Sequence, residues 1–140
     1  MKQFKITILM IATSMLLCAC PDKKGQEFIY IKNESDKKIA FQISVNKQEE
    51  TFYCSNAGRT ILFEVESNAT FKLDNGDAYS NWDDYLKTLK VFILDGELYD
   101  EYWQQPCDTI RKYVPILHRY QLTLEDLQRM NWTVVYPPEE

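Results

Sequence analysis

Side chains suited to acid–base or metal chemistry are few in this chain, which has one histidine and four cysteines. His118 falls in ILHRYQL (residues 116–122), where apolar residues recur at every second position, as is typical of a strand. Catalytic residues lie more often on loops, and a zinc site needs three or four His, Cys or carboxylate ligands. We therefore expect no metal, no cofactor and no catalytic role for His118.

Cys54 and Cys107 form the next candidate pair. A nucleophilic cysteine needs a neighbour that lowers its pKa, and no base is evident near Cys107. In an exported protein two such thiols meet an oxidising environment and are able to bridge, which would stabilise the fold by about 4 kcal/mol in the chain-entropy account. The alternative is a pair of small, buried, apolar thiols. The sequence leaves both open.

The acidic residues, 21 in number, show no defined catalytic or metal-binding arrangement. The segment DNGD (residues 74–77), followed by Asp83 and Asp84, lacks the spacing of an EF-hand loop and is typical of a turn. No pair of carboxylates stands out for glycoside cleavage, and four glycines form no phosphate-binding loop. The sequence thus predicts that the protein is not an enzyme.

The most suggestive surface feature is ELYDEYW (residues 97–103), which follows a predicted turn. Its rings, Tyr99, Tyr102 and Trp103, stand among acidic residues. Aromatic faces beside hydrogen-bond acceptors are typical of glycan or peptide recognition. The more common explanation is that these rings pack over one end of the fold.

The N-terminus combines two lysines, Lys2 and Lys5, with twelve uncharged residues, Ile6 to Leu17. Twelve residues are too few to cross a bilayer as a helix, which takes about 20, and this pattern is typical of a secretory signal. The segment that follows, Leu17-Cys18-Ala19-Cys20, resembles the bacterial lipoprotein signal. The resemblance implies cleavage after Ala19 and a lipid on Cys20, with Cys18 removed in the signal.

These features predict a signal peptide at 1–19, a lipidated cysteine with a polar tether at 20–27, and one folded domain at 28–140. Membrane lipid would then hold the protein through its acyl anchor at the cell envelope, with the outer membrane expected and the periplasmic or surface face left open. Without Lys2 and Lys5 the chain has 14 basic and 21 acidic residues, a net charge near −7. Because nucleic-acid binding relies on Lys and Arg, we expect no nucleic-acid partner.

Alternating apolar residues predict most of the strands, beginning with FIYIK (28–32) and KIAFQISVN (38–46), which NESDKK would join as an antiparallel hairpin. LKVFILD (89–95) is apolar on both faces, as in a covered central strand. The other predicted strands are TILFEV (60–65), TFKL (70–73), residues 116–122 and WTVVY (132–136).

Short helices are predicted at 81–86, at 108–113 with Asp108 as cap, and after Thr123, where Asp126 completes a capping box. The sequence therefore predicts a mainly β fold, an antiparallel sandwich of about seven strands with two or three short connecting helices.

The C-terminal half, Trp82 to Pro137, carries the patterns "W..YL.TL.VFI.D" and LTLEDLQRMNWTVVYP. In these it resembles small uncharacterised lipoproteins of Bacteroides-type gut bacteria, which implies a lipid anchor and a compact domain but no activity. Asp108-Thr109-Ile110 likewise resembles an acceptor pattern for O-linked sugar in such bacteria. We expect a lipid-anchored binding or structural protein, with glycan or peptide binding by residues 99–103 as the alternative.

Overall fold

The computed structural model describes residues 28–45, 50–54, 62–74, 82 and 86–139. This part of the chain contains seven strands and three helices, in the order β1 (Phe28–Asn33), β2 (Ile39–Ser44), β3 (Phe63–Val65), β4 (Thr70–Asp74), β5 (Thr88–Asp95), α1 (Gly96–Tyr102), α2 (Cys107–Tyr113), β6 (Ile116–Thr123), α3 (Leu124–Arg129) and β7 (Thr133–Tyr136). The prediction of a mainly β fold with about seven strands is confirmed.

The strands form two sheets. Sheet 1 has the order β4-β1-β7, and sheet 2 has the order β3-β2-β5-β6. Sheet 2 is antiparallel throughout, whereas in sheet 1 the central strand β1 is antiparallel to β4 and parallel to β7. The prediction of a wholly antiparallel arrangement is therefore wrong for one strand pair. The α3 helix lies between β6 in sheet 2 and β7 in sheet 1, so the chain changes sheet there before β7 pairs with β1.

The predicted hairpin of β1 and β2 is also wrong, because these strands belong to different sheets. Asn33, at the end of β1, is fully buried, and its side-chain amide donates to the carbonyl oxygens of Lys37, Val65 and Glu66. These bonds fasten the β1–β2 connection to the β3–β4 connection where both pass from one sheet to the other. Alternating apolar residues predict a strand with one buried face, but they do not determine which strand lies beside it. The pattern therefore did not reveal this change of sheet.

One buried cluster joins the two sheets, an arrangement consistent with a β-sandwich. It takes Ile29, Ile31, Leu73 and Val134 from sheet 1 and a larger set from sheet 2, among them Phe41, Leu89, Val91 and Ile93. The ring of Phe71 on β4 lies 5.4 Å from that of Phe41 and 5.1 Å from that of Phe63, measured between centroids. Phe71 therefore packs across the sheets, at distances usual for aromatic pairs.

The β5 strand is buried on both faces, as predicted from its sequence. Leu89, Val91 and Ile93 face the cluster between the sheets. Phe92 and Leu94 face a second cluster, which includes Tyr99 of α1 and Ile110 of α2. The outer face of sheet 2 is therefore covered by two helices, which gives the domain a third layer beside the two sheets.

The helix predictions had mixed outcomes. For α3 the capping box is present, with Thr123 accepting from the Asp126 amide and the Asp126 carboxylate accepting from that of Thr123. The α2 helix lies as predicted, but Asp108 is not its cap: Pro106 holds that position without a side-chain bond. Most of the helix predicted at 81–86 lies outside the described residues. Of the two residues that are described, Leu86 donates its amide to the carbonyl of Trp82 at 3.0 Å.

Candidate functional site

The aromatic stretch forms helix α1, which the sequence analysis did not predict. Asp95, the last residue of β5, caps this helix by accepting a hydrogen bond from the Leu98 amide at 3.0 Å. Glu97 places a negative charge in the first turn, where the helix dipole favours it. Asp95 as a cap and Glu97 in the first turn were signals for the start of this helix. They were missed because the apolar strand β5 runs into the helix without an intervening loop.

The three predicted ligand-binding rings differ in exposure. Tyr99, Tyr102 and Trp103 have the i, i+3, i+4 spacing that places residues on one side of a helix, and all three contact the second cluster. Tyr99 is only 5% exposed, so it belongs to the core. Tyr102 and Trp103 are half-buried at the edge of the helical layer. The structure therefore separates Tyr99 from the two rings that reach the surface.

Tyr113, at the end of α2, lies beside the two rings that reach the surface. Its ring stacks on that of Tyr102 with centroids 4.9 Å apart and planes 13° from parallel. Tyr113 is 46% exposed, and the Lys112 ammonium lies 5.1 Å from the centre of its ring. Sequence reasoning missed Tyr113 because it lies on another element, and only the packing of α1 on α2 brings the two rings together. We call Tyr102, Trp103 and Tyr113 the tyrosine surface.

Lys38 fixes α1 to the edge of sheet 2. Its ammonium pairs with Glu64 on β3 at 3.3 Å and with Asp100 on α1, and its side chain is only 14% exposed. Burial acts to lower the pKa of Lys38, but the hydrogen bonds and charges of Asp100 and Glu64 outweigh it and raise the pKa above its usual value. The protonated amine is therefore favoured, and this cation joins β3 and α1 to the residue that precedes β2.

The α2 helix is joined to the segment 50–54 by a disulfide between Cys54 and Cys107, whose Cα atoms are 5.7 Å apart. Of the two alternatives left open by the sequence, the structure contains the bridge. Phe52 is buried in the second cluster, and Arg111 of α2 donates to its carbonyl oxygen at 3.4 Å. The amide of Gln42 bonds to both the N–H and the C=O of Tyr53. Segment 50–54 is thereby held between β2 and α2.

His118 lies on β6 opposite Ile93, as its position in a strand predicted. Its ring packs edge-on against Tyr120, with centroids 4.4 Å apart. In the described ranges, no three His, Cys, Asp or Glu side chains come together as metal ligands would.

Thr109, the residue of the acceptor pattern for O-linked sugar, lies in the first turn of α2. It is half-buried, and its amide donates to the Pro106 carbonyl.

Several predicted features lie outside the described residues: the signal at 1–19, Cys20 with its tether to residue 27, the turn residues 75–77, and Asp83 and Asp84. Asp74 is described and ends β4. Within the ranges that are described, the structure has no helix of sufficient length and apolarity to span a bilayer.

Comparison with known proteins found no match: no family model fits the chain, and neither a curated protein nor a solved structure resembles it significantly.

Proposed function

We propose that this protein is a lipid-anchored component of a bacterial cell envelope, held to the outer membrane through Cys20, with a folded domain that binds a partner or supports structure. The disulfide between Cys54 and Cys107 supports the export that this proposal requires, and the lipid on Cys20 rests on the sequence resemblance. Such bridges persist mainly in oxidising compartments outside the cytoplasm. This is evidence for export that does not depend on the signal sequence.

A binding or structural role is favoured over catalysis by the state of the reactive groups. Both folded-domain cysteines are in the disulfide, and Lys38 is held protonated between Glu64 and Asp100. The ring of His118 packs against Tyr120. None of these arrangements leaves a nucleophile beside a base, which covalent catalysis requires.

The anchor is tested by feeding cells a clickable fatty acid and comparing wild type with Cys20→Ser and Cys18→Ser. We expect label in the membrane fraction for wild type. Cys20→Ser removes the only thiol that is acylated in this proposal, and should lose the label. Cys18→Ser is the matched control, because Cys18 leaves with the signal, and it should keep the label. An unlabelled wild-type protein in the soluble fraction would reject the proposal.

A second candidate function, glycan or peptide binding, is favoured by the stacked pair of Tyr102 and Tyr113. The pair presents an exposed ring on a helical layer fixed by a disulfide and an ion-pair cluster. Such rigid aromatic faces suit the apolar faces of sugars and the side chains of peptides. The site we propose is the tyrosine surface, which replaces Tyr99 by Tyr113 relative to the sequence prediction.

A glycan array with the folded protein tests this candidate. Tyr113→Ala should abolish any binding that is found, whereas Tyr53→Ala should retain it. The two tyrosines make a matched pair because both are well exposed, at 46% and 60%, so neither substitution should unfold the domain. Equal binding by both variants would remove the tyrosine surface as the site.

A further inference from the structure

The direction of the strands gives the domain two distinct ends. Phe28, the first residue of β1, pairs with the last residue of β4, and β7 begins at Thr133 beside Tyr30. The helix α3 precedes β7, and the Tyr30 amide donates to the Trp132 carbonyl at 2.8 Å. We call this the α3 end. The opposite end, where β1 finishes at Asn33 and the turn 34–38 follows, is called the Asn33 end.

The strands of sheet 2 run between the same two ends of the domain. Ile39, directly after the turn, pairs with Asp95 at the end of β5, whereas Thr88 at the start of β5 pairs with Thr123, where α3 begins. Helix α1 therefore starts at the Asn33 end. Helix α2 finishes there, because the Asp95 amide bonds to the carbonyl of Pro115.

The tyrosine surface consequently lies toward the Asn33 end. Tyr113 is two residues before Pro115, and Tyr102 stacks on it. The first strand, β1, belongs to sheet 1, while the helices cover the far face of sheet 2. The tyrosine surface is thus remote from Phe28, where β1 begins. It lies toward the opposite end of the strands and on the opposite side of sheet 2.

The length of chain between Cys20 and Phe28 limits how the domain can stand on a membrane. Eight peptide units reach at most about 29 Å when fully extended. The β5 strand alone, eight residues, is about 26 Å long. To bring the Asn33 end to the lipid, the tether would have to run the length of the domain almost fully stretched and give up its conformational freedom. The α3 end meets no such limit.

We propose that this short tether holds the domain with its α3 end against the phospholipid surface and the tyrosine surface facing away from it. The orientation rests on the proposed lipid anchor at Cys20. Beside the acidic residues Asp74 and Glu125, the α3 end carries two groups suited to a headgroup layer. These are the half-buried ring of Trp132 and the exposed Lys72, whose ammonium lies 3.5 Å from the centre of the Phe28 ring.

Energy transfer to the membrane surface tests the orientation. Gln128→Cys on α3 and Asp36→Cys in the turn 34–38 each change an exposed residue. With Cys20 acylated and Cys54 bridged to Cys107, the new thiol alone takes the fluorescent donor. The lipidated full-length protein is placed in phosphatidylethanolamine–phosphatidylglycerol vesicles that carry an acceptor on their headgroups. We expect transfer from position 128 to be several-fold stronger than from position 36.

A lengthened tether is the control. Inserting roughly twelve Gly and Ser residues after Lys24 adds up to about 43 Å to the fully extended reach of the tether and keeps it flexible, and we expect it to remove most of the difference. Equal transfer from both positions in the original protein would overturn the orientation. A difference that the longer tether leaves unchanged would overturn the short tether as its cause. Loss of flotation with the vesicles would instead overturn the anchor at Cys20, and the orientation with it.

Discussion

At the scale of single residues, two polar side chains connect parts of the fold that the strands alone do not join. Tyr120 lies on β6 in sheet 2, yet its hydroxyl donates to the carbonyl of Val135 on β7 in sheet 1 at 2.5 Å. Asn33 satisfies backbone carbonyls of two connections between the sheets, those of Lys37 and Glu66. A buried carbonyl left without a donor costs about 1–3 kcal/mol, so these side chains help to fix how the sheets are joined.

The substitution Tyr120→Phe removes this bond while keeping the ring. We expect it to lower the free energy of unfolding at neutral pH by about 1 kcal/mol. Burial, and to a smaller extent the neighbouring Tyr136, raise the pKa of Tyr120 to about 12. The unfolded chain therefore releases this proton first, and the contribution of Tyr120 to stability falls as the pH rises through the window from about 10 to about 12.

Urea unfolding of wild type and Tyr120→Phe at neutral and at alkaline pH measures both effects. The difference between the two proteins should shrink as the pH rises above about 10, the ordinary pKa of tyrosine. Other tyrosines titrate in both proteins and cancel in the comparison. A difference that stays constant across this range would contradict the role assigned to the Tyr120 hydroxyl.

At the scale of elements, helix α1 begins where its backbone passes very close to β2. A Cβ atom on Gly96 would lie 2.9 Å from the backbone carbonyl carbons of Lys38 and Ile39. The amide of Gly96 also donates to the Lys38 carbonyl at 3.1 Å. Because the neighbouring atoms belong to the backbone where β2 begins, they have little freedom to move aside.

We expect Gly96→Ala to destabilise the domain by about 2 kcal/mol, the usual cost of forcing extra volume into a packed site. Since α1 carries Tyr102, the stack with Tyr113 should also be disturbed. Urea unfolding and near-ultraviolet circular dichroism report the two effects. Glu97→Ala, one residue further along α1 and exposed, is the control and should change stability little. Equal stability of the two variants would contradict the close approach.

The elements also show how far local sequence patterns reach. Alternating apolar residues predicted the strands, and Thr123 with Asp126 predicted the start of α3. Both predictions were possible because periodicity and capping depend on residues close together in the chain. The partner of each strand depends on distant segments. The parallel pairing of β1 with β7 and the change of sheet between β1 and β2 were therefore not predicted.

At the scale of the whole molecule, the disulfide joins the helical layer to the segment that follows β2. Cys54 and Cys107 are 53 positions apart in sequence, so the bridge closes a long loop and restricts the unfolded chain. We expect the double substitution Cys54→Ser and Cys107→Ser to lower the free energy of unfolding by about 4 kcal/mol in the chain-entropy account.

Urea unfolding of the purified protein with and without a reducing agent measures this effect. The reductant should lower the midpoint for wild type and leave that of the double variant unchanged. A wild-type midpoint that is indifferent to the reductant, while mass spectrometry shows two free thiols, would contradict the stabilising role of the bridge.

The sequence by itself determined the features that depend on neighbouring residues: the mainly β fold, the doubly buried β5, the capped start of α3 and the basis for expecting a lipid on Cys20. Only the tertiary structure decided which rings share a surface, because the stack of Tyr102 on Tyr113 requires two helices to pack on the same face of sheet 2. It likewise decided that Tyr99 is part of the core and that Cys54 meets Cys107. Contacts between distant segments follow from how the layers pack, and no local pattern in the chain records them.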